Sequence, residues 1–418
     1  MTARVTAEEL DARDPLAWLR DEFLIADDGL VYLDGNSLGM PARRALERLA
    51  RVVHDEWGTR LVRAWNEGWF DLARRTGDRL GAALLGAAPG QVAVCDSTSV
   101  NLYKLAIAAL DARPGRTVVI AEGGGFPTDR YVLQGIAASR GLALHAVDEG
   151  EHGVPTADAV RAIVDDRTAL VCLAHVDFRS GAIADMAAVN AAAHAAGALT
   201  LWDVSHSVGC VPVALDATGS DLAVGCTYKY IGAGPGAPAF LYVRGELQDA
   251  LRQPIWGWFG THDVFAMAPD YQPASGVARY LTGTPSVIGT AMVDECVGLL
   301  AAAGIDALST KSAALTQLAI ELHDAWLAPL GFVLATPRHP AARGSHVALR
   351  HPEAFRVCRA LIDRHAVIPD FRPPDIVRLG LAPATTRFTD AWDGLDAIRT
   401  VVASGTHLEM PDERGYVT

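Results

Sequence analysis

The sequence predicts an α/β protein: a mainly parallel sheet covered by helices on both faces, followed by a smaller α+β unit. Three observations carry this prediction. From about residue 90 to residue 203, short apolar runs alternate with segments of helix length. The polar residues that invite chemistry fall at or just after the ends of those runs, which is where open α/β sheets bind ligands. From 331 to 404, strand and helix patterns alternate again over a shorter stretch.

The chain has 418 residues, enough for a large core and two domains. Half of them are hydrophobic and a fifth are charged, as in an ordinary globular enzyme. The net charge of −13 argues against nucleic acid or an anionic membrane as partner. The start, MTARVTAEELDARDPLAWLR, lacks the basic flank and apolar core of a signal peptide. The Ala-rich segment 187–202 is too short and too polar to span a bilayer. The six cysteines (95, 172, 210, 226, 296 and 358) form no CxxC pair and lie in apolar contexts. They read as reduced core residues of a cytoplasmic protein.

Taken in order, Thr6 and Glu9 have capping-box spacing and predict a short helix. Pro15 suits the first turn of a second helix, with Leu16, Leu19 and Phe23 on one apolar side. Val31-Tyr32-Leu33 runs as a strand into Asp34-Gly35-Asn36-Ser37-Leu38-Gly39. That segment is either a plain turn or a loop that points amide and hydroxyl donors at a substrate carboxylate. Pro41 opens a helix to about Trp57. Trp57, Trp65 and Trp69 lie in a stretch without clean period; two of the three are expected in the core.

Val92–Cys95 is a strand, and Asp96-Ser97-Thr98-Ser99 precedes a helix over 100–110. Hydroxyls and amides at a helix N-terminus suit a phosphate, although one of them suffices as a cap. The strand 117–122 enters Gly123-Gly124-Gly125-Phe126-Pro127-Thr128-Asp129. Phe126 there is either a core side chain beside a turn or a ring that stacks on a flat cofactor. Helices over 130–140, 156–165 and 185–197 alternate with strands over 142–147, 168–176 and 199–203, and 239–243 adds another strand. An aromatic loop, 253–260, leads into an irregular Gly- and Pro-containing stretch to 290. A long helical region follows to roughly 327, and the segment after 404 reads as a frayed tail. Arg378 sits inside an apolar strand, so it needs an anion. That anion is either a protein carboxylate or the α-carboxylate of an amino acid.

The chemistry concentrates in two stretches. The run Leu199–Trp202 ends in Asp203, with His206 three residues later. The run Leu222–Cys226 ends in Tyr228-Lys229-Tyr230, before glycines 232, 234 and 236. Lysine is rare in this chain, occurring at 104, 229 and 311. Lys229 is therefore either an exposed-turn lysine or a desolvated amine that attacks carbonyls. A strand-end carboxylate, an imidazole and a lysine form the layout of a pyridoxal-phosphate site. There the carboxylate pairs with the pyridine nitrogen, and the lysine holds the aldehyde covalently.

With YLDGNSLG at 32–39, STSVNLYK at 97–104, FPTD at 126–129, WDVSHSVG at 202–209, YK at 228–229, GWFG at 257–260 and RLGLAP at 378–383, the chain resembles the kynureninases over about 30–390. The resemblance implies a fold-type-I, aspartate-aminotransferase-like architecture with a large, mainly parallel, seven-stranded sheet domain and a smaller α+β domain. It implies an N-terminal segment 1–60 that packs with the small domain, a cofactor domain 61–290 and a C-terminal domain 291–418. The implied reaction is hydrolysis of the Cβ–Cγ bond of L-kynurenine to anthranilate and L-alanine, with 3-hydroxy-L-kynurenine a second candidate substrate.

The resemblance also assigns roles. Lys229 would carry the cofactor and move protons, Asp203 would pair with its ring nitrogen, and Thr98 and Ser99 would hold its phosphate. Phe126, Pro127, Thr128, Asp129, His206 and Tyr228 would contact it, with Tyr228 a proton donor to the substrate. Trp258 and Thr284 match positions that reach the phosphate from a neighbouring subunit, which implies a homodimer. Arg378 would clamp the substrate carboxylate, with Asn36, Ser37 and Trp65 lining the pocket. Threonine at 284, where some members carry asparagine, points to the unsubstituted ring. A cysteine desulfurase of the same fold would need an exposed, low-pKa thiol, whereas Cys296 and Cys358 both lie in helical patterns.

Overall fold

In a computed structural model, residues 3–25, 29–150 and 152–411 are described. The chain opens with α1 (Arg4–Ala12) and α2 (Ala17–Asp21). α1 begins at Arg4 behind an uncapped Ala3, so Thr6 and Glu9 lie inside the helix and do not start it. Pro15 stands ahead of α2 rather than in its first turn. Leu16, Leu19 and Phe23 are buried together, as their spacing predicts. β1 (Val31–Tyr32) follows, then α3 (Arg43–Arg51), which widens into π turns as far as Arg60. α4 (Trp69–Leu80) leads into the large sheet.

That sheet is built from β2 (Val92–Val94), β3 (Val118–Glu122), β4 (Ala143–Val147), β5 (Thr168–Ala174), β6 (Leu199–Asp203), β7 (Leu222–Gly225) and β8 (Phe240–Val243). α5 (Thr98–Asp111), α6 (Pro127–Arg140), α7 (Ala157–Ile163) and α8 (Met186–Ala195) connect the earlier strands. The strand order is β2-β8-β7-β6-β5-β3-β4. β8 runs antiparallel to both its neighbours, and the other pairings are parallel.

The apolar runs are nearly continuous because both faces are covered. Ile120, Val171, Trp202 and Ala223 face one core, while Val119, Leu170, Leu201 and Leu222 face the other. Two antiparallel steps across β8 leave β2 pointing the same way as β7. The C-terminal ends of β2, β3, β5, β6 and β7 therefore share one edge.

The long helical region is two helices, α9 (Val287–Ala303) and α10 (Ile305–Leu322), bent by 78° across Gly304. α9 packs on α3 and α4, and α10 packs on the C-terminal helix α12 (Phe388–Ala403). Before α12 come β9 (Val333–Leu334), β10 (His346–Arg350), α11 (Ala354–His365), β11 (Val367–Ile368), β12 (Asp370–Arg372) and β13 (Ile376–Gly380). They form an antiparallel sheet, β12-β13-β10-β9, while β11 pairs in parallel with β1. α1 lies on α12, and the Asp11 carboxylate accepts from the Phe388 and Thr389 amides at 2.7 and 3.0 Å, capping that helix from across the chain.

The segment after 404 is not simply frayed: Thr406–Glu409 forms a turn, and His407 and Met410 are buried. Residues 412–418 lie outside the described residues. Trp65 and Trp69 are half-buried and meet edge to face at 5.5 Å, whereas Trp57 is 56% exposed. Among the described residues no single helix is long and apolar enough to cross a membrane.

Candidate functional site

Lys229 leaves the end of β7 in a loop closed by hydrogen bonds from the Thr227 hydroxyl to the Pro238 carbonyl and from the Ala233 amide to the Thr227 carbonyl. Its ammonium meets His206 Nε2 at 2.8 Å and lies 5.8 Å from the centre of the Phe126 ring. The other two lysines are buried in ion pairs, Lys104 with Asp96 at 2.5 Å and Lys311 with Asp14 at 2.7 Å. Lys229 makes no ion pair among the described residues. Phe126 is 41% exposed, so it is not the core side chain its context alone suggests. It is N-cap to α6, with Pro127 at the first helical position and Thr128 half-buried behind it.

Asp203, at the end of β6, accepts from the Ser205 amide at 2.7 Å and stands beside Asp129. Burial, and then the Asp203 charge, push the Asp129 carboxyl well above the usual range. Next to them Glu122 is pushed up to about 8, chiefly by burial, while the Ala174 amide donates to its Oε1 at 2.7 Å. Burial, reinforced by Lys229 and Arg378, holds His206 well below the usual imidazole range. His206 is therefore neutral. Its Nδ1 is buried without a hydrogen-bond partner among the described residues. Tyr228 is half-buried, its phenol near Cys226 and pushed upward by desolvation.

At the start of α5, Ser97 is the cap and accepts from the Val100 amide. Thr98 and Ser99 are half-buried in the first turn. Lys104 is fully buried and reaches both Asp96 and, at 2.7 Å, the Tyr280 carbonyl. The Thr282 hydroxyl donates to Asp96 at 3.3 Å. This ties the helix start to the loop that carries Thr284. A Cβ at Gly257 would lie 2.2 Å from the Thr282 carbonyl, so the GWFG segment can rest on the same loop only with glycine there. Trp258 and Thr284 are both exposed in this neighbourhood. Trp65 packs against Phe70 and Phe259 at 5.2 and 5.7 Å, beside the GWFG segment.

Arg378, 1% exposed, has a protein carboxylate as its anion. It is paired with Asp370, its neighbour across β12 and β13. It also donates to Ser37 Oγ at 3.0 Å and to the Phe178 carbonyl. In the orientation that satisfies both groups, the Asn36 amide oxygen accepts from its Nε at 2.8 Å. A Cβ on Gly380 would overlap the Asn36 side chain, which explains a glycine there. Phe178 then meets Phe126 edge to face at 5.4 Å, linking the two halves of the site. Four residues here carry no local sequence signal: Asp370, Arg372, Phe178 and His346. His346 is buried 5.6 Å from His206, with both ring nitrogens unpartnered.

These residues fit pyridoxal phosphate. They offer an amine against a neutral imidazole, two neighbouring carboxyls, a ring nitrogen without a partner among the described residues and a helix N-terminus with two hydroxyls, all along one sheet edge. Among the described residues no cluster could hold a metal ion.

Residues 79–347 match the family model of the class-V aminotransferases, and residues 308–398 match that of the kynureninase C-terminal domain. The chain is 45% identical to the kynureninase of Pseudomonas fluorescens and 44% identical to that of Burkholderia pseudomallei, in each case over 96% of both chains. Its fold is similar to that of the apo cysteine desulfurase of Thermococcus onnurineus (TM-score 0.75, 17% identity, 94% of this chain and 97% of that one). It is similar as well to that of a C-DES mutant with glycine covalently linked to the PLP cofactor (TM-score 0.77, 16% identity, 94% and 99%).

Proposed function

The chain belongs to the kynureninase family, and from that premise we infer that it hydrolyses the Cβ–Cγ bond of L-kynurenine to anthranilate and L-alanine, in tryptophan breakdown. The observation that carries this reading is Lys229, without an ion pair among the described residues and set against neutral His206 at the shared strand edge. Bound pyridoxal phosphate supplies an electron sink for charge that develops on the substrate carbons. The rest falls to this chain. Asp203, with Asp129 beside it, would pair with the cofactor's ring nitrogen, and Phe126 would cover its ring. Thr98 and Ser99 would hold its phosphate at the start of α5. Lys229 takes and returns the proton at the substrate's Cα. Tyr228, whose raised pKa keeps it protonated, donates at the carbonyl beside the aryl ring. Asn36, Ser37 and Arg378 receive the α-carboxylate.

The exposure of Trp258 and Thr284 beside the start of α5 supports a homodimer in which they complete a neighbour's phosphate site. Six buried, reduced cysteines support a cytoplasmic location. They also oppose the desulfurase reading. Burial pushes Cys95 up to about 11 and Cys296 up to about 12, and raises Cys358 well above the thiol range. None of these is the low-pKa thiol that such chemistry needs. Threonine at 284 supports the unsubstituted ring as preferred substrate.

Mixing the protein and pyridoxal phosphate with each substrate, and following anthranilate or 3-hydroxyanthranilate by fluorescence, tests both claims. Anthranilate matched by alanine is the expected result. A specificity ratio strongly favouring 3-hydroxykynurenine would reverse the substrate preference.

A further inference from the structure

Arg378 is engaged on every side. Its Nε faces Asn36 at 2.8 Å, one Nη donates to the Phe178 carbonyl, and the other meets Ser37 and Asp370. Arg372 shares two of those partners and differs in one respect. It lies two residues beyond Asp370 on β12, hence on the same face of the strand. Its Nη2 donates to Ser37 Oγ at 3.3 Å and pairs with Asp370 at 3.1 Å. Its Nε, however, is buried without a partner. A buried guanidinium N–H without an acceptor is unfavourable, and a carboxylate is the acceptor whose planar geometry matches the fork formed by Nε and Nη2. Ser37 Oγ takes a hydrogen bond from each arginine, so the spare donor points from the same hub as Arg378.

We propose that Arg372 is a second contact for the substrate's α-carboxylate, offering its free Nε beside Ser37 and Arg378. This rests on the reading that Ser37 and Arg378 receive an amino-acid carboxylate.

The test is Arg372→Gln and Arg372→Lys in the holoenzyme. Three quantities are measured: KM for L-kynurenine, equilibrium binding of L-alanine by the change in visible absorption, and inhibition by the decarboxylated amine analogue of kynurenine. Loss of one charge-assisted, bidentate contact is expected to weaken L-kynurenine and L-alanine by about tenfold or more in the glutamine variant. The lysine variant, with charge but no fork, falls between. The analogue's inhibition constant and the cofactor's affinity stay within about twofold, since neither involves the carboxylate.

Equal weakening of the analogue and the amino acids would make Arg372 structural and overturn the proposal, as would unchanged L-alanine binding. If the glutamine variant loses its cofactor, the lysine variant alone decides by the same ratio. If the wild-type protein makes no anthranilate, the reaction assignment fails, while L-alanine binding still reports on Arg372.

Discussion

Lys229 Nζ lies 2.8 Å from His206 Nε2, so the partner of the ammonium is a neutral imidazole and not a carboxylate. A carboxylate would lock the amine in an ion pair, whereas the imidazole offers it a hydrogen bond only. Lys104 and Lys311, each locked to an aspartate, show the alternative within the same chain. Lys229→Ala is expected to abolish anthranilate formation while pyridoxal phosphate still binds. After borohydride treatment and denaturation, the wild-type chain should retain the cofactor and the variant should release it. Retention by the variant would place the reactive amine elsewhere.

Gly39 donates its amide to the Tyr228 carbonyl at 2.8 Å, and a Cβ on it would lie 2.2 Å from the Lys229 carbonyl. Gly39→Ala must therefore displace the lysine loop. A shift of about 1 Å at the reacting groups costs on the order of a hundredfold in rate. We expect that loss in kcat with an unchanged far-UV spectrum. Wild-type kcat in a folded variant would show that the loop gives way without moving Lys229.

The Glu122 carboxyl, pushed up to about 8 by burial, binds its proton more tightly in the folded chain than in the unfolded one. Its contribution to stability is therefore complete below the ordinary value near 4.5 and is lost as pH rises toward 8. The slope for one such proton is at most about 1.4 kcal/mol per pH unit. Glu122→Gln should flatten this dependence in the cofactor-free protein, as read from urea midpoints at several pH values. An identical slope in both proteins would show that Glu122 is ionised throughout.

Asp34 faces the same cluster as Arg378, Arg372 and Asp370, and burial followed by the Asp370 charge raises its carboxyl to about 6. Below that pH it is neutral; above it, a second anion stands beside the site for the substrate carboxylate. KM for L-kynurenine should rise as pH passes upward through about 6, by no more than about tenfold per pH unit. Asp34→Asn should remove the rise. A KM profile that is the same in the variant would assign the effect to another group.

Breaking the Arg378–Asp370 pair leaves a buried carboxylate, a change that ordinarily costs about 3–5 kcal/mol. Arg372 still reaches Asp370, so Arg378→Ala should fall at the lower end, about 3 kcal/mol. L-alanine binding should weaken with it. Urea unfolding and equilibrium binding measure the two effects separately, and full stability would mean that Arg372 takes over the pair.

Much of this was legible along the chain. Alternating strand and helix lengths announced the sheet, and apolar runs without alternation announced that both faces are covered. Asp203, His206 and Lys229 each stand at or just past a strand end, where side chains can reach a ligand. The DGNSLG segment was recognisable as a turn, although its glycines are explained only by what lies opposite: Gly35 against Ala382 and Gly39 against the lysine loop. Helix starts were less legible. Thr6 and Glu9 have the spacing of a cap but sit within α1, which starts at Arg4 behind an uncapped Ala3.

By itself, the sequence determined the layered α/β architecture, the edge on which chemistry takes place and the residue types available there, because these follow from local periodicity and from strand ends. Tertiary structure alone decided which charges meet. Ser37 and Arg378 touch across 341 residues, Asp370 is shared by two arginines, and Asp129 is raised by burial beside Asp203. Burial and pairing set the charge on each of those groups, and both are properties of the packed interior that no local pattern encodes.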